Sequence, residues 1–190
     1  EVCVYFEYRL MRGNRCTKAN AEYFEAFKSP NFIYLAEAGL DIKYSPIKYN
    51  HTNKEFKVHT NLCEEVLVLK LFPSMKKEYI AKVLDLPYKG IILETFGAGN
   101  ATTADWFLRA IQTAINNGKL ILNVSQCFSG SVSQGLYETS SKLEEIGVIG
   151  GKDMTTEAAL AKMMYLLGTD YSQEEIKQHL QISLRGELSN

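Results

Sequence analysis

The feature that most constrains this chain is a unit of strand, polar loop and helix that occurs almost twice in its middle. The first unit consists of the apolar residues 90–96, the glycine-bearing loop 97–100 and an amphipathic stretch at 102–116. The second unit consists of the apolar residues 120–124 and the polar loop 125–130. Short β-rich runs that alternate with helical ones are typical of a parallel α/β sheet. Such sheets place ligand-contacting residues in loops beyond the carboxyl ends of their strands, so these two loops are the first candidates for function.

The rest of the C-terminal sequence continues this alternation. Residues 66–72 predict a buried strand. Ser74 is the predicted N-cap of a helix that buries Met75, Tyr79, Ile80, Val83 and Leu84. The further predicted elements are a helix at 141–145, a strand at 147–149, a helix at 156–167 that Asp153 or Thr155 caps and Gly168 ends, and a last helix that begins with the capping box at 172–175. We therefore predict an α/β fold class in which residues 63–190 form a Rossmann-like or flavodoxin-like domain with a parallel sheet.

Residues 1–45 differ from the rest of the chain because they are too few to bury a core alone. They hold one predicted strand at the start, a charged turn at 12–15 and an irregular stretch around Pro30. The first residues already resemble a core strand, without an initiator methionine or a signal peptide, which indicates a chain taken from something longer. We therefore expect residues 1–45 to be the tail of a larger N-terminal α/β domain that is mostly absent, and the polar residues 46–62 to be a linker.

Composition narrows the functional classes. The chain has 190 residues, 46% of them hydrophobic, and a net charge of -1, which predicts a soluble globular protein. No excess of either charge suggests nucleic acid or an anionic membrane as a partner. No apolar run reaches the roughly 20 residues that cross a bilayer. The cysteines Cys3, Cys16, Cys63 and Cys127 form no C-x-x-C pair, which favours a reducing compartment.

The two loops admit more than one interpretation. Gly97-Ala-Gly-Asn-Ala101 is either a nest of backbone N–H groups for an anion or a tight turn that needs glycine. It lacks the third glycine of a dinucleotide site, and no cofactor is predicted. Cys127 has no histidine near it in sequence, so a packed thiol is expected rather than a nucleophile. Ser129 lacks the G-x-S-x-G pattern of hydrolases.

The remaining candidates are histidines and one lysine. His51, His59 and His179 show no metal-ligand spacing, so we expect surface or linker positions and no metal site. Lys18 follows the charged turn at a domain edge. A desolvated lysine at such a place could lose its proton and help to activate a nucleophile, although a solvated surface lysine is the default.

Seven segments in order along the chain resemble the type I, cytoplasmic-style bacterial L-asparaginases. They are Arg12-Gly-Asn-Arg-Cys-Thr-Lys18, Phe27-Lys-Ser-Pro-Asn31, Leu35-Ala-Glu-Ala-Gly39, Gly97-Ala-Gly-Asn-Ala101, Asn123-Val-Ser-Gln-Cys127, Gly147-Val-Ile-Gly-Gly-Lys-Asp-Met-Thr-Thr-Glu-Ala158 and Arg185-Gly-Glu-Leu-Ser189. The resemblance implies a protein of roughly twice this length in two α/β domains, of which this chain is the C-terminal half or slightly more. It implies hydrolysis of L-asparagine to aspartate and ammonia by a homodimer or homotetramer.

The resemblance assigns one catalytic residue to this chain. In the family, a threonine nucleophile and a second threonine–aspartate pair are assisted by a lysine, which corresponds to Lys18. The implied role of Lys18 is to help set the protonation of the attacking hydroxyl. The nucleophile belongs to the absent segment, so the chain alone is expected to be inactive.

The resemblance also implies two further contacts. Tyr137 is the nearest position to the residue with which a neighbouring subunit completes each active site. Thr17, Asn100 and Cys127 match an allosteric asparagine site that some type I enzymes have. Glu94, however, stands where such enzymes can carry an arginine, and a carboxylate there would repel the effector carboxylate. We therefore expect no allosteric control by asparagine.

Two alternatives stay open at this point. One is the asparaginase-like subunit of an amidotransferase that acts on charged tRNA, although the near-neutral charge gives no RNA-binding surface in these residues. The other is a non-enzymatic α/β module that binds a small amino acid through Asn100 and Cys127.

Overall fold

The computed structural model describes residues 1–47, 55–135 and 138–189. The strands are β1 (Cys3–Phe6), β2 (Arg9–Arg12), β3 (Thr17–Lys18), β4 (Phe27–Lys28), β5 (Ala36–Ala38), β6 (Ile42–Tyr44), β7 (Val66–Lys70), β8 (Gly90–Thr95), β9 (Leu120–Ser125) and β10 (Ile149–Gly150). The helices are α1 (Lys77–Asp85), α2 (Asp105–Asn116), α3 (Glu138–Glu145), α4 (Thr156–Leu167) and α5 (Gln173–Gln181). None of the helices in these ranges is long and apolar enough to cross a bilayer.

The C-terminal part is built on a four-stranded sheet in which all strands run parallel. The strand order is β10-β9-β8-β7, so each strand lies beside its predecessor in the sequence. Gly90 of β8 pairs with Val66 on one side and with Leu120 on the other. The prediction of an α/β fold with a parallel sheet is therefore confirmed.

Apolar side chains alternate between the two faces of this sheet. Ile91 and Leu93 pack into a core cluster with residues of α1, α2 and α3. Ile92 and Leu122 pack into a second cluster with residues of α4 and α5. Because both faces are covered by helices, the strands are apolar throughout instead of alternating with polar residues. The carboxyl ends of β8 and β9 open at the same edge of the sheet.

The start of α1 differs from its prediction. The helix begins at Lys77, and Lys76 is its N-cap in extended conformation, with φ -89° and ψ 148°. Ser74 lies earlier, in a turn with φ +70°, so it cannot cap the helix. Of the residues predicted to be buried there, Ile80 and Leu84 are buried but Tyr79 is 46% exposed. The predictions that Ser74 caps this helix and that Tyr79 is buried were therefore wrong.

Helix α4 starts and ends where the sequence predicts. Thr155 is the N-cap and accepts a hydrogen bond from the backbone N–H of Ala158, while Asp153 has other partners. Gly168 follows the helix with φ -86°, so no left-handed conformation requires glycine there. The requirement comes from packing, because a Cβ atom at Gly168 would overlap the carbonyl group of Asn61. The side-chain amide of Asn61 also donates to the Gly168 carbonyl oxygen.

The N-terminal part contains six strands where the sequence analysis predicts one. An antiparallel sheet has the order β1-β2-β5-β6, and β3 pairs with β4. The chain turns from β1 to β2 at Glu7 and Tyr8, which have φ values of 47° and 66°. Such tight turns usually contain asparagine or glycine, so this sequence gives no turn signal. Met11 and Leu35 are fully buried in this part.

A buried ion pair joins the N-terminal and C-terminal parts. Arg15 is 1% exposed, and its Nη1 lies 2.9 Å from Oδ2 of Asp153. Its Nε donates to the carbonyl oxygen of Gly186, and its Nη2 donates to Oγ of Ser189, both at 2.8 Å. Ser189 donates from its backbone N and its Oγ to the Asp153 carboxylate, at 2.7 and 2.6 Å. These bonds offset the cost of removing two charges from water.

A second buried ion pair anchors the C-terminal segment. The Nζ atom of Lys162 lies 2.7 Å from Oε1 of Glu187, and both side chains are almost fully buried. Lys162 also donates to the carbonyl oxygens of Leu180 and Ile182. The Glu187 carboxylate accepts a hydrogen bond from the backbone N–H of Leu184. The end of the described chain is therefore fastened to α4 as well as to the N-terminal part.

Replacing Asp153 with asparagine should destabilise the protein, because Arg15 would stay buried without its counter-charge. We expect a loss of about 3 kcal/mol in the free energy of unfolding at neutral pH, measured by urea denaturation. Burial raises the pKa of Asp153, but hydrogen bonds from Ser189 and Arg15 outweigh it and lower the pKa below its usual value. The stabilisation is therefore present above the unfolded-state pKa and is lost as pH falls through the folded-state pKa. The difference between wild type and D153N should shrink below about pH 4.

The exposed Asp85 provides the control for this experiment. Asp85→Asn should change the free energy of unfolding by less than about 0.5 kcal/mol. A D153N deficit that stays constant from neutral pH into the acid range would contradict the ion-pair explanation.

Gly168→Ala should also destabilise the protein, because the added Cβ must push away the backbone at Asn61. We expect a loss of about 1–3 kcal/mol in the free energy of unfolding. Gly39→Ala is the matched control, since a Cβ there would meet only the carbonyl oxygen of Asp41 at an ordinary 3.7 Å. Equal effects of the two substitutions would refute the overlap as the cause.

Candidate functional site

The loops that follow β8 and β9 lie side by side, as the sequence analysis predicts. Ser125 donates from Oγ to the carbonyl oxygen of Gly97 at 2.6 Å. Thr95 donates from Oγ1 to Oδ1 of Asn123 at 2.6 Å. The fully buried Asn123 donates in turn from Nδ2 to the carbonyl oxygen of Gly99 at 3.1 Å. A buried amide with partners at both ends holds the two loops in one arrangement.

The loop 97–100 is a tight turn. The backbone N–H groups of Gly99 and Asn100 both donate to the carbonyl oxygen of Phe96, at 3.1 and 2.8 Å. Gly97 and Gly99 have φ values of +52° and +106°, which favour glycine. Helix α2 begins only at Asp105, so these donors do not form its N-terminus. The structure therefore supports the turn and not the anion-binding nest.

A cavity of about 390 Å³ opens beside this edge of the sheet. The residues that line it are Thr17, Asn31, Glu94, Ser125, Gln126, Cys127, Phe128, Gly130, Met154, Thr155, Thr156 and Glu157. They come from the ends of β8 and β9, from the start of α4 and from the N-terminal part of the chain. This is the place at which open parallel α/β sheets bind ligands.

Two carboxylates face the cavity, and a threonine hydroxyl is bonded to each. Thr156 donates from Oγ1 to Oε1 of Glu94 at 2.6 Å, and Thr17 donates from Oγ1 to Oε1 of Glu157 at 2.5 Å. The Nζ atom of Lys70 lies 3.6 Å from Oε2 of Glu94. The lining, over the ranges the structure describes, contains no arginine or lysine. The cavity therefore disfavours a free anionic group.

Amide side chains fix two walls of the cavity. Asn31 donates from Nδ2 to the carbonyl oxygens of Gly130 and Asp153, at 3.0 and 2.9 Å, and its Oδ1 accepts from the Gly130 N–H at 2.8 Å. Gln126 donates from Nε2 to the carbonyl oxygen of Glu94 at 2.8 Å. This role of Asn31 could not be predicted from local sequence, because its hydrogen-bond partners are 99 and 122 residues away.

Lys18 lies on β3 beside Thr17, but the cavity lining that the structure describes does not include it. It is exposed, and its Nζ lies 5.9 Å from the ring centroid of Phe27, the residue opposite it on β4. The desolvated setting considered for this lysine is therefore not present in this chain.

The structure brings together two of the three ligand-loop candidates. Thr17 and Cys127 both line the cavity, together with Glu94. Asn100 is not among the described residues that line the cavity. Its backbone pairs with Phe96 in the turn. The neighbouring-subunit candidate Tyr137 lies outside the described residues.

Cys127 is exposed, so the expectation of a packed thiol was wrong. It lies two residues after the end of β9 and lines the cavity. Its backbone N–H donates to Oγ of Ser125 at 3.0 Å. All four cysteines are free of disulfides, and burial raises the pKa of the Cys16 thiol. No histidine belongs to the described cavity lining, so nothing there activates Cys127 as a nucleophile.

The described histidines pack against tyrosines. His59 meets Tyr165 edge to face at 5.4 Å between ring centroids, and His179 stacks on Tyr171 at 4.7 Å. Over residues 1–47, 55–135 and 138–189, no group of three or more histidine, cysteine, aspartate or glutamate side chains could hold a metal ion. His51 falls outside these ranges.

Known proteins share both the sequence and the structure of this chain. The family model described as "Asparaginase, N-terminal" matches residues 1–51, and the model described as "Glutaminase/Asparaginase C-terminal domain" matches residues 65–180. L-asparaginase 1 of Escherichia coli (strain K12) is 40% identical over 190 residues, which are 100% of this chain and 56% of that protein. The crystal structure of L-asparaginase I from Vibrio cholerae is 42% identical and superposes with a TM-score of 0.94, over 100% of this chain and 58% of that one. A glutamyl-tRNA(Gln) amidotransferase subunit of Methanococcus maripaludis (strain C7) is 33% identical over 95% of this chain and 44% of that protein.

The chain spans a little over half the length of the two asparaginases. The C-terminal domain model alone covers more than half of this chain, and the N-terminal model covers most of what precedes it. The parallel sheet, the two loops at its edge and these matches lead to one assignment: the chain belongs to the glutaminase/asparaginase family, as its resemblance predicts.

Proposed function

We propose that this chain is part of an L-asparaginase, which hydrolyses the side-chain amide of L-asparagine to L-aspartate and ammonia. The observation that carries the proposal is the match of the N-terminal and C-terminal asparaginase domain models in order along the chain. The 40% identity with a protein named L-asparaginase 1, over the whole of this chain, supports the same activity.

The proposed role of Lys18 is to assist a group of threonine, aspartate and lysine that sets the protonation of the attacking hydroxyl. The nucleophilic threonine would belong to the part of the relatives that this chain does not span. Its hydroxyl oxygen would attack the amide carbon, ammonia would leave, and water would then hydrolyse the ester. The position of Lys18 directly after the charged turn, in a segment that the N-terminal asparaginase model matches, supports this role. The chain alone should therefore be inactive.

The cavity is the proposed ligand-loop site, with Thr17, Asn100 and Cys127 as candidate contacts. The presence of Thr17 and Cys127 in its lining supports this assignment, while Asn100 lies further along its loop. Glu94 occupies the position at which related enzymes can carry an arginine for the effector carboxylate. A carboxylate there, in the same cavity as that of Glu157, repels the carboxylate of an effector amino acid instead of holding it.

The active form is a proposed homodimer or homotetramer in the cytoplasm, with active sites near subunit interfaces. Tyr137 is the candidate contact with a neighbouring subunit. The exposed apolar side chains on the N-terminal sheet, such as Tyr5, Ile42 and Tyr44, support association with further protein. The four free cysteines support a reducing compartment.

A second candidate is the asparaginase-like subunit of a tRNA-dependent amidotransferase. The 33% identity with the amidotransferase subunit of Methanococcus maripaludis favours it. The net charge of -1 and the absence of basic runs in the sequence speak against an RNA surface in this chain. Asparaginase is therefore the better supported of the two.

Lys18→Met should lower kcat by at least about 100-fold in a protein that joins this chain to the N-terminal segment of its relatives, because proton control of the nucleophile would be lost. The measurement is ammonia release from asparagine. Lys28→Met is the matched control, since Lys28 is the cross-strand neighbour of Thr17 and is ion-paired with Glu25 at 3.0 Å. Ammonia release by the 190 residues alone would show that the nucleophile lies within them and would overturn the assignment of Lys18 as an assistant.

Asparagine saturation curves of the same longer protein should be hyperbolic, with a Hill coefficient of about 1. The physical reason is that Glu94 repels the carboxylate of an effector asparagine and that position 94 offers no cation to hold it. Glu94→Gln removes the charge without adding a cation and serves as the control, with the same curve shape expected. Clear sigmoidicity in the wild type would defeat this expectation.

A further inference from the structure

The strand that carries Lys18 has little support of its own. β3 is two residues long and, over the described ranges, pairs only with β4, through Thr17 with Lys28 and Lys18 with Phe27. A two-stranded ribbon of this size is marginal in water. Its orientation, and with it the direction of the Lys18 side chain, must be set by contacts outside the ribbon.

Strand geometry links the two neighbouring side chains of β3. Successive residues of a strand point to opposite faces, so a contact that fixes Thr17 on one face fixes Lys18 on the other. Thr17 points to α4, where its hydroxyl donates to Glu157 at 2.5 Å. Lys18 lies on the opposite face with Phe27, whose ring packs edge to face against Phe6 at 5.3 Å between centroids.

Glu157 is itself held on a rigid element. It lies in the first turn of α4, directly after Thr156, whose hydroxyl is bonded to Glu94, and two residues after the Thr155 N-cap. Its charge contributes to raising the pKa of Cys16, after the larger effect of burial, so the carboxylate also faces the start of the Lys18 strand. Glu157 could not be recognised from local sequence, because an acidic residue in the first turn is common in helices for its effect on the helix dipole.

We propose that Glu157 is a positioning residue for Lys18, which it orients through Thr17. The inference rests on the proposed function, because that function gives Lys18 its role. Glu157 contacts neither substrate nor nucleophile; its carboxylate holds the Thr17 hydroxyl, and the strand transmits that constraint to the lysine. The bond is exposed to solvent, so its loss should misplace the lysine and lower kcat by about fivefold rather than abolish activity.

The test uses kinetics of the longer protein with paired variants. Glu157→Ala and Thr17→Val should each lower kcat by about fivefold, with KM changed by less than about twofold, and the double variant should be no worse than either single one. Glu157→Gln and Thr17→Ser keep an acceptor and a donor, so they should stay within about twofold of wild type.

The matched control is Glu175→Ala. Glu175 is also a first-turn glutamate, in α5, and it accepts a hydrogen bond from the Ser172 hydroxyl at 2.6 Å in the capping box that the sequence predicts. It lies away from the Lys18 strand, so kcat should not change. Amide hydrogen exchange of the 190-residue chain gives a readout without activity: residues 16–20 should exchange faster in Glu157→Ala and not in Glu175→Ala.

The outcomes separate this inference from the proposed function. Full activity of Lys18→Met would overturn the proposed role of Lys18 and, with it, the positioning role of Glu157. Loss of activity in Lys18→Met combined with wild-type kcat in Glu157→Ala would overturn the positioning role alone. An equal loss of kcat in Glu157→Ala and Glu157→Gln would also overturn it, since the hydrogen bond would not be the cause. A fivefold loss that Glu157→Gln rescues, with faster exchange at 16–20 in the alanine variant, would support it.

Discussion

The ion pair between Arg15 and Asp153 is the contact on which the geometry of the site depends. It joins the N-terminal strands to the C-terminal sheet, and the cavity has walls from both. Arg15 lies two residues before Thr17, and Asp153 lies four residues before Glu157. The ion pair and the Thr17–Glu157 hydrogen bond therefore belong to one short interface. It combines a buried charged contact just before β3 with an exposed polar contact on β3 itself.

The polar groups of the cavity are mostly bonded to one another. Glu94 has Thr156 and Lys70 as partners, Glu157 has Thr17, and the two amide side chains are bonded to backbone atoms. A ligand that entered would have to replace these internal hydrogen bonds with bonds of its own. The site is thus organised before any ligand arrives, and the negative side chains restrict what it can accept.

The sequence predicted the C-terminal sheet well because strands buried on both faces are apolar throughout, as residues 90–93 are. It failed in the N-terminal part, where strands of two to four residues are joined by a turn without glycine or asparagine. The hydrogen bonds of the site residues Asn31 and Glu157 could not be predicted from local sequence, because their partners lie 99 and 140 residues away. The exposure of Cys127 was missed since it depends on a cavity that the N-terminal part completes. Local patterns thus specify the sheet, and contacts distant in sequence specify the site.

The order of the parallel strands bears on how the molecule folds. Each strand from β7 to β10 lies beside its predecessor, so the C-terminal sheet can form by closing short loops, one after another. The contacts of Arg15 with Asp153 and Ser189 close loops of 138 and 174 residues, at a larger cost in chain entropy. We expect the sheet to form early and the N-terminal strands to dock late, so that the cavity is completed in one of the last steps of folding. During that interval the chain would have its fold but not its site.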